Sequence, residues 1–172
     1  MRFFAMLSLA ALVLLSGCGY HTLGPSAHLP AGVQTLAVPV FATHTDAYHT
    51  ETAMTQAVIR EFVQRTRLRV TASDSAEADA TLHGTILKEA ILPYTYNAST
   101  QQSSSFLITV VASVKLTARD GRVLYQNDNY VFRQQYQSTT DLATFLKEDP
   151  AATDRLSREF ARQLVADVLE GF

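Results

Sequence analysis

The sequence predicts an α+β fold: a two-layer sandwich with two helices packed on one face of a mixed four- to five-stranded sheet. Three observations predict it. Phe106, Ile108, Val110, Ala112, Val114 and Leu116 alternate without a break with Leu107, Thr109, Val111, Ser113 and Lys115. That period of two marks a long strand with one strongly apolar face. Asp120-Gly121 follows soon after, the dipeptide preferred where a strand reverses through a tight hairpin. Residues 50–65 and 150–169 instead repeat apolar side chains every three or four positions, the spacing of an amphipathic helix. An apolar sheet face and apolar helix stripes bury one another, which gives two layers.

In chain order, the first residues read as an export signal. Met1-Arg2-Phe3-Phe4 carries one positive charge, and an apolar run from Ala5 to Leu15, broken by Ser8, follows it. That run covers only about half of the ~20 residues a bilayer-spanning helix needs. Leu15-Ser16-Gly17 then leads into Cys18, the only cysteine in the chain. A branched apolar residue, two small residues and a cysteine resemble the lipobox of bacterial lipoproteins. Residues 1–17 are therefore expected to be a lipoprotein signal peptide, with Cys18 the acylated first residue after cleavage. A single cysteine has no internal disulfide partner in an oxidising compartment, and lipidation consumes its thiol. Residues 18–33 are rich in Gly, Pro, Ala and His without periodicity, as befits a lipidated tether. Residues 34–172 make a single domain, long enough for one core and hardly for two.

Within the domain, residues 34–41 are expected to form a short apolar strand, with Pro39 marking an edge or an end because proline removes a ladder donor. The helix over 50–65 places Met54, Val58 and Phe62 on one stripe, widened by Ala57 and Val63. Residues 68–72 alternate as a second short strand. Leu82, Gly84 and Ile86 alternate with Thr81, His83 and Thr85 as a third. Residues 93–105, rich in Tyr, Ser, Gln and Asn, are expected to form a polar loop before the long strand 106–116. The return strand covers 123–135. Asp149-Pro150 then supplies an N-cap and a proline at the first helical position, and Leu156, Phe160, Leu164 and Val168 form the stripe of the last helix. The order is β-α-β-β-β-β-α, or one strand fewer.

Composition argues against several chemistries. The 14 Lys and Arg side chains face 16 Asp and Glu, so no basic excess points to nucleic acid. Neither a Gly-rich phosphate loop nor a Gly-x-Ser-x-Gly elbow occurs. His44, Asp46 and His49 are the densest cluster of metal-ligating types, but zinc sites use three or four convergent ligands and this spacing lies in a polar connection. Arg60, Arg65, Arg67 and Arg69 gather near a helix end, where cations suit the dipole. No catalytic residue, metal ligand or cofactor is assigned.

Three features together resemble the LptE family, the lipopolysaccharide-assembly lipoproteins of Gram-negative outer membranes. They are the junction Gly17-Cys18-Gly19-Tyr20-His21, the strand Thr35-Leu36-Ala37-Val38-Pro39-Val40-Phe41 followed by a helix ending Arg60-Glu61-Phe62-Val63, and the pairing of strand 106–116 with a return strand containing Val131-Phe132-Arg133. The resemblance spans residues 17–170. It implies a non-enzymatic plug and assembly partner of an LptD-type outer-membrane β-barrel that binds lipopolysaccharide during export. Gly19, in place of a retention aspartate, implies an outer-membrane anchor facing the periplasm. Lys147 and Arg133 become candidate lipopolysaccharide contacts, and Tyr94, Tyr96 and Asn97 candidate barrel contacts. Two other readings stay open: a lipoprotein of another envelope or secretion complex, and a periplasmic metal-binding hydrolase.

Overall fold

A mixed six-stranded sheet carries two helices on one of its faces, in a computed structural model that describes residues 32–45, 50–96, 103–137 and 150–170. Strands Thr35–Ala37 (β1) and Ala42–Thr43 (β2) precede helix Thr50–Arg65 (α1). Strands Arg69–Thr71 (β3), Ala80–Tyr96 (β4), Ser103–Ala118 (β5) and Val123–Gln137 (β6) then precede helix Pro150–Glu170 (α2). The strand order is β3-β1-β4-β5-β6, with β2 also lying along β4. Both β1 and β2 pair in parallel with β4, and β1 pairs in parallel with β3. The two long pairings, β4 with β5 and β5 with β6, are antiparallel. The α+β sandwich expected from the pattern is the observed fold.

The alternation in β5 is honoured residue by residue. Ile108, Val110, Ala112, Val114 and Leu116 are buried, together with Leu82 and Ile86 of β4 and Tyr130 and Phe132 of β6. Met54, Ala57, Val58 and Phe62 of α1 join the same core, as do Leu156, Phe160, Ala161, Leu164, Val165 and Val168 of α2. Phe160 meets Tyr130 and Phe132 edge-on, with ring centroids 5.9 and 5.7 Å apart, an arrangement favoured by the ring quadrupoles. The Tyr130 hydroxyl donates to Asp167 Oδ2 at 3.0 Å. Burial first, and the Asp167 charge second, push that phenol well above its ordinary pKa. The β5–β6 turn is built as the sequence predicts. Gly121 takes φ 87°, a conformation that costs glycine little, and its N–H donates to Ala118 O at 2.9 Å.

Four details differ from the sequence expectation. The segment 34–41 holds only the short strand β1, which ends at Ala37, and pairing resumes beyond it with β2 at Ala42. Pro39 marks the end of β1, which lies between β3 and β4 and is not an edge strand. The link is anchored by the Phe41 N–H, which donates to the buried Thr55 Oγ1 at 2.9 Å, while the Phe41 ring lies over Gly84. A Cβ at Gly84 would meet that ring at 2.7 Å, so this strand position has room only for glycine. Secondly, Val63 is 55% exposed and does not belong to the α1 core stripe.

Thirdly, β4 runs to Tyr96, ten residues beyond the alternation that announced it. The register shifts between Ile86 and Lys88, so Leu87 is a bulge, and a bulge inverts which side chains point inward. Fourthly, residues 93–105 are not one loop. Residues 93–96 extend β4 and residues 103–105 begin β5, leaving 97–102 outside the described residues. Pro93 is tolerated because this outer part of β4 pairs only with β5 among the described strands, and edge strands accept proline.

Candidate functional site

One end of the sheet is the end where the chain enters the domain. There Asp79, just before β4, accepts from the N–H groups of Gln34 and Thr35 at 3.0 and 2.9 Å and from Thr35 Oγ1 at 2.7 Å. These bonds, with the Thr35 hydroxyl first and a weaker contribution from Arg119, hold its carboxyl below the usual aspartate range. Arg119 sits 3.4 Å from Asp79 and also donates to the carbonyls of Glu77 and Ala78. Gly32, Val33, Arg119 and Arg122 line a shallow hollow beside it. This cluster fixes the first residues of the domain to the start of β4 and to the β5–β6 turn.

Among the described residues, the opposite end of the sheet is built from the three long strands. On the face turned away from both helices, cross-strand pairing sets three rows side by side: Lys88–Val111–Val131, Ala90–Thr109–Arg133 and Leu92–Leu107–Gln135. Lys88, Arg133 and Gln135 are exposed, Leu92 is 60% exposed, and Ala90, Leu107, Thr109, Val111 and Val131 are half-buried. No described helix covers this face. The Leu87 bulge creates it. Had the parity of Leu82, Gly84 and Ile86 continued, Lys88, Ala90 and Leu92 would point into the core.

The same inversion turns Glu89 inward, opposite Val110 and in one row with Phe132. Among the described residues its Oε2 is buried without a hydrogen-bond partner, and burial pushes its carboxyl above the ordinary glutamate range. Beyond it, Ile91 pairs with Ile108. The Thr95 and Ser105 hydroxyls are 2.6 Å apart, and Gln135 Nε2 donates to Ser105 Oγ at 3.2 Å. This polar cross-link lies near the point where the β4–β5 hairpin leaves the described residues.

The residues singled out in the sequence distribute unevenly over this frame. Tyr94 stands on β4 at a second register shift, 59% exposed, and Arg133 stands on the helix-free face of β6. The backbone of Tyr96 ends β4. Cys18, Asn97 and Lys147 lie outside the described residues. His44 is exposed, and its N–H donates to Ile86 O at 2.9 Å; Asp46 and His49 lie outside the described residues. Sequence reasoning missed Lys88, Glu89 and Leu92. A break in alternation at Leu87-Lys88 was the available signal, and it reads equally well as the end of a strand.

Comparison with known proteins adds identity to this geometry. A family model described as LptE, lipopolysaccharide-assembly, matches residues 33–168. Among curated proteins none matches. A hypothetical protein from Chlamydia trachomatis has a similar fold, with a TM-score of 0.53 and 10% identity over 78% of this chain and 95% of its own. A Xanthomonas campestris protein of the family DUF330 superposes with a TM-score of 0.50 and 18% identity, covering 83% of this chain and 89% of that one. Lipoprotein B from Nitrosomonas europaea is 14% identical, with a TM-score of 0.44, over 82% of this chain and 86% of its own.

Proposed function

Since this chain belongs to the LptE lipopolysaccharide-assembly family, a family of non-enzymatic envelope lipoproteins, we propose that it is the lipid-anchored plug and assembly partner of an LptD-type β-barrel. In this reading it also binds lipopolysaccharide on its way to the cell surface. The observation that carries the proposal is the reach of the family match, residues 33–168, which runs from the start of β1 into the last turn of α2. Residues 1–17 are the cleaved signal, Cys18 carries the lipid, 18–33 are the tether and 34–172 the domain. Gly19 after the lipidated cysteine favours the outer membrane, facing the periplasm. A tether of this kind holds the domain beside a membrane partner at high effective concentration. Tyr94, with Tyr96 and Asn97 beyond it, is the candidate barrel contact, because tyrosines give large contact area at low entropic cost. Arg133 and Lys147 are the candidate contacts to lipopolysaccharide phosphates.

The test is to purify the tagged full-length lipoprotein from its own membranes and identify the barrel that accompanies it. LptD should dominate, and a photo-crosslinking amino acid in place of Tyr94 should give LptD adducts. A folded, processed protein without LptD among its partners ends the plug reading in favour of another envelope complex. Cys18→Ser should leave uncleaved precursor; if it is processed and membrane-bound like wild type, the lipid anchor is wrong.

A further inference from the structure

The free margins of the sheet are defended unequally. A strand at the rim of a sheet leaves a row of backbone N–H and C=O groups unpaired, and proteins blunt such rows with proline, bulges, charges or shortness. The β3 rim runs only from Arg69 to Thr71. The outer part of β4 carries Pro93, the Leu87 bulge and two further register shifts. On the other side β6 is the last strand, and from Tyr130 to Gln137 it has neither proline nor glycine. Its register against β5 is unbroken over that run, with Ala112 opposite Tyr130 and Ser105 opposite Gln137. Arg133 is the only charged residue there. Among the described residues no strand pairs with the outer side of β6. Just below Tyr130 the ladder shifts. Ser113 faces both Asp128 and Asn129, so β6 bulges there, and a hydrogen bond of 3.3 Å from Ser113 Oγ holds Asp128 on the helix-free face. Arg133 stands on the same face, exposed and without an ion pair among the described residues.

We infer that this edge is a self-association surface, to which β6 of a second copy adds antiparallel about a two-fold axis at Val131. The axis stands perpendicular to the sheet, so the helices of both copies lie on one side and the strands continue as a single sheet. Such an interface is self-complementary: each contact occurs twice. Directly opposed residues of an antiparallel pair share a face, which permits only registers centred on one residue. Centring on Val131 sets Val131 beside its own copy and Tyr130 beside Phe132 of the second copy. Two steps out, Arg133 meets the Asp128–Asn129 bulge of the second copy, and symmetry forms the same pair again. Other centres lose this match. Centring on Tyr130 leaves Arg133 opposite Gln126, centring on Phe132 leaves it opposite Val131, and centring on Arg133 sets like charges together. Asp128 already accepts from Ser113 Oγ and Gln126 Nε2, but a carboxylate has lone pairs to spare for a guanidinium. A surface ion pair adds little affinity and mainly fixes register; the backbone ladder and the aromatic pair supply the attraction. One strand pairing buries less than a permanent interface needs, so the dimer is weak and reversible. The inference goes beyond the lipopolysaccharide-assembly reading and does not depend on it.

Val131→Cys in the full-length lipoprotein, produced in excess of its partners and oxidised in its own membranes, should give a disulfide-linked dimer. Opposed residues of an antiparallel pair have Cα atoms about 4.5 or 5.5 Å apart, within disulfide range. Lys88 lies in the same row on the same face, but five strand spacings, about 24 Å, would separate it from its copy. Lys88→Cys should therefore give at least tenfold less dimer. Wild type, with Cys18 as its one cysteine, sets the background. Arg133→Asp should cut the Val131→Cys dimer at least fivefold. Adding Asp128→Arg should restore it, since the exchanged charges meet again across the axis. No dimer from a folded, membrane-bound Val131→Cys protein would overturn the inference. So would equal dimer from Lys88→Cys, a dimer indifferent to Arg133→Asp, or a loss that the charge exchange does not repair. Absence of LptD among co-purified proteins bears on the plug reading alone, because the disulfide joins two copies of this chain.

Discussion

Asp79 and Glu89 flank the first half of β4, and the two carboxylates are treated in opposite ways. Asp79 collects two backbone N–H groups and a hydroxyl and pairs with Arg119. Glu89 is turned onto the apolar face with a buried oxygen that nothing satisfies. Around Asp79, β1, β4 and the β5–β6 turn meet, so polar groups from several elements converge. Around Glu89, of the described strands only β4, β5 and β6 continue, and a single-residue bulge decides which side chain points inward. The difference teaches that one end of this sheet is closed by its own contacts. The other end presents a face that no described element covers and retains a burial cost inside.

The strongest way to break this comparison is to add a second carboxylate beside the first. Val110 is fully buried between Glu89 and Phe132. Val110→Asp should abolish folding, because a buried unpaired carboxylate costs several kcal/mol of a total stability of roughly 5–15 kcal/mol. Val111→Asp, on the helix-free face opposite Lys88, should leave a folded protein with a modestly lowered midpoint in thermal circular dichroism. Equal damage from both would mean that both sheet faces are covered.

A smaller effect is expected where the two ends join. Gly84→Ala should destabilise by about 1–3 kcal/mol, the usual cost of overpacking, since the added methyl drives into the buried Phe41 ring. Gly84→Ala with Phe41→Leu should recover part of that loss in urea unfolding. No recovery would show that the glycine is needed for its backbone and not for space.

Glu89→Leu should be stabilising at neutral pH by roughly 1 kcal/mol, the low end of the cost of an unsatisfied buried acceptor. The sign follows from the raised pKa. A glutamate whose folded value lies above its unfolded value favours folding fully below the unfolded value, and the benefit disappears as pH rises through the folded one. The gain from Glu89→Leu should therefore shrink on acidification toward the ordinary glutamate range. A gain independent of pH would mean that the carboxylate is not the cause.

The smallest effect belongs to Asp79. Its lowered pKa means that its contribution is present above the ordinary aspartate value and lost as pH falls through the depressed one. Asp79→Asn should reduce the melting temperature slightly at neutral pH and flatten the acid limb of the melting curve against pH. If the acid limb keeps its wild-type slope, the Thr35 clamp does not set acid stability.

Most elements were legible because they depend on neighbours in the chain. The period of two in β5, the period near 3.6 in both helices, the Asp120-Gly121 turn and the proline opening α2 are all local properties. The candidate site was less legible. Arg133 and Tyr94 were named through the family resemblance, while Lys88 and Leu92 lie beyond a break in alternation that looks like a strand end.

What the sequence by itself determined is the two helices and the β5–β6 hairpin, the face of β5 that goes inside, and the class of fold that such faces build. These follow from the spacing of side chains along a helix or a strand, which holds before any long-range contact forms. Only the tertiary structure decided that β1 lies inside the sheet, that β4 extends to Tyr96, and that the bulge at Leu87 sends Glu89 inward and Lys88 outward. Those outcomes depend on register against β5, a partner remote in sequence, and a shift of one residue in that register exchanges the two faces of the strand.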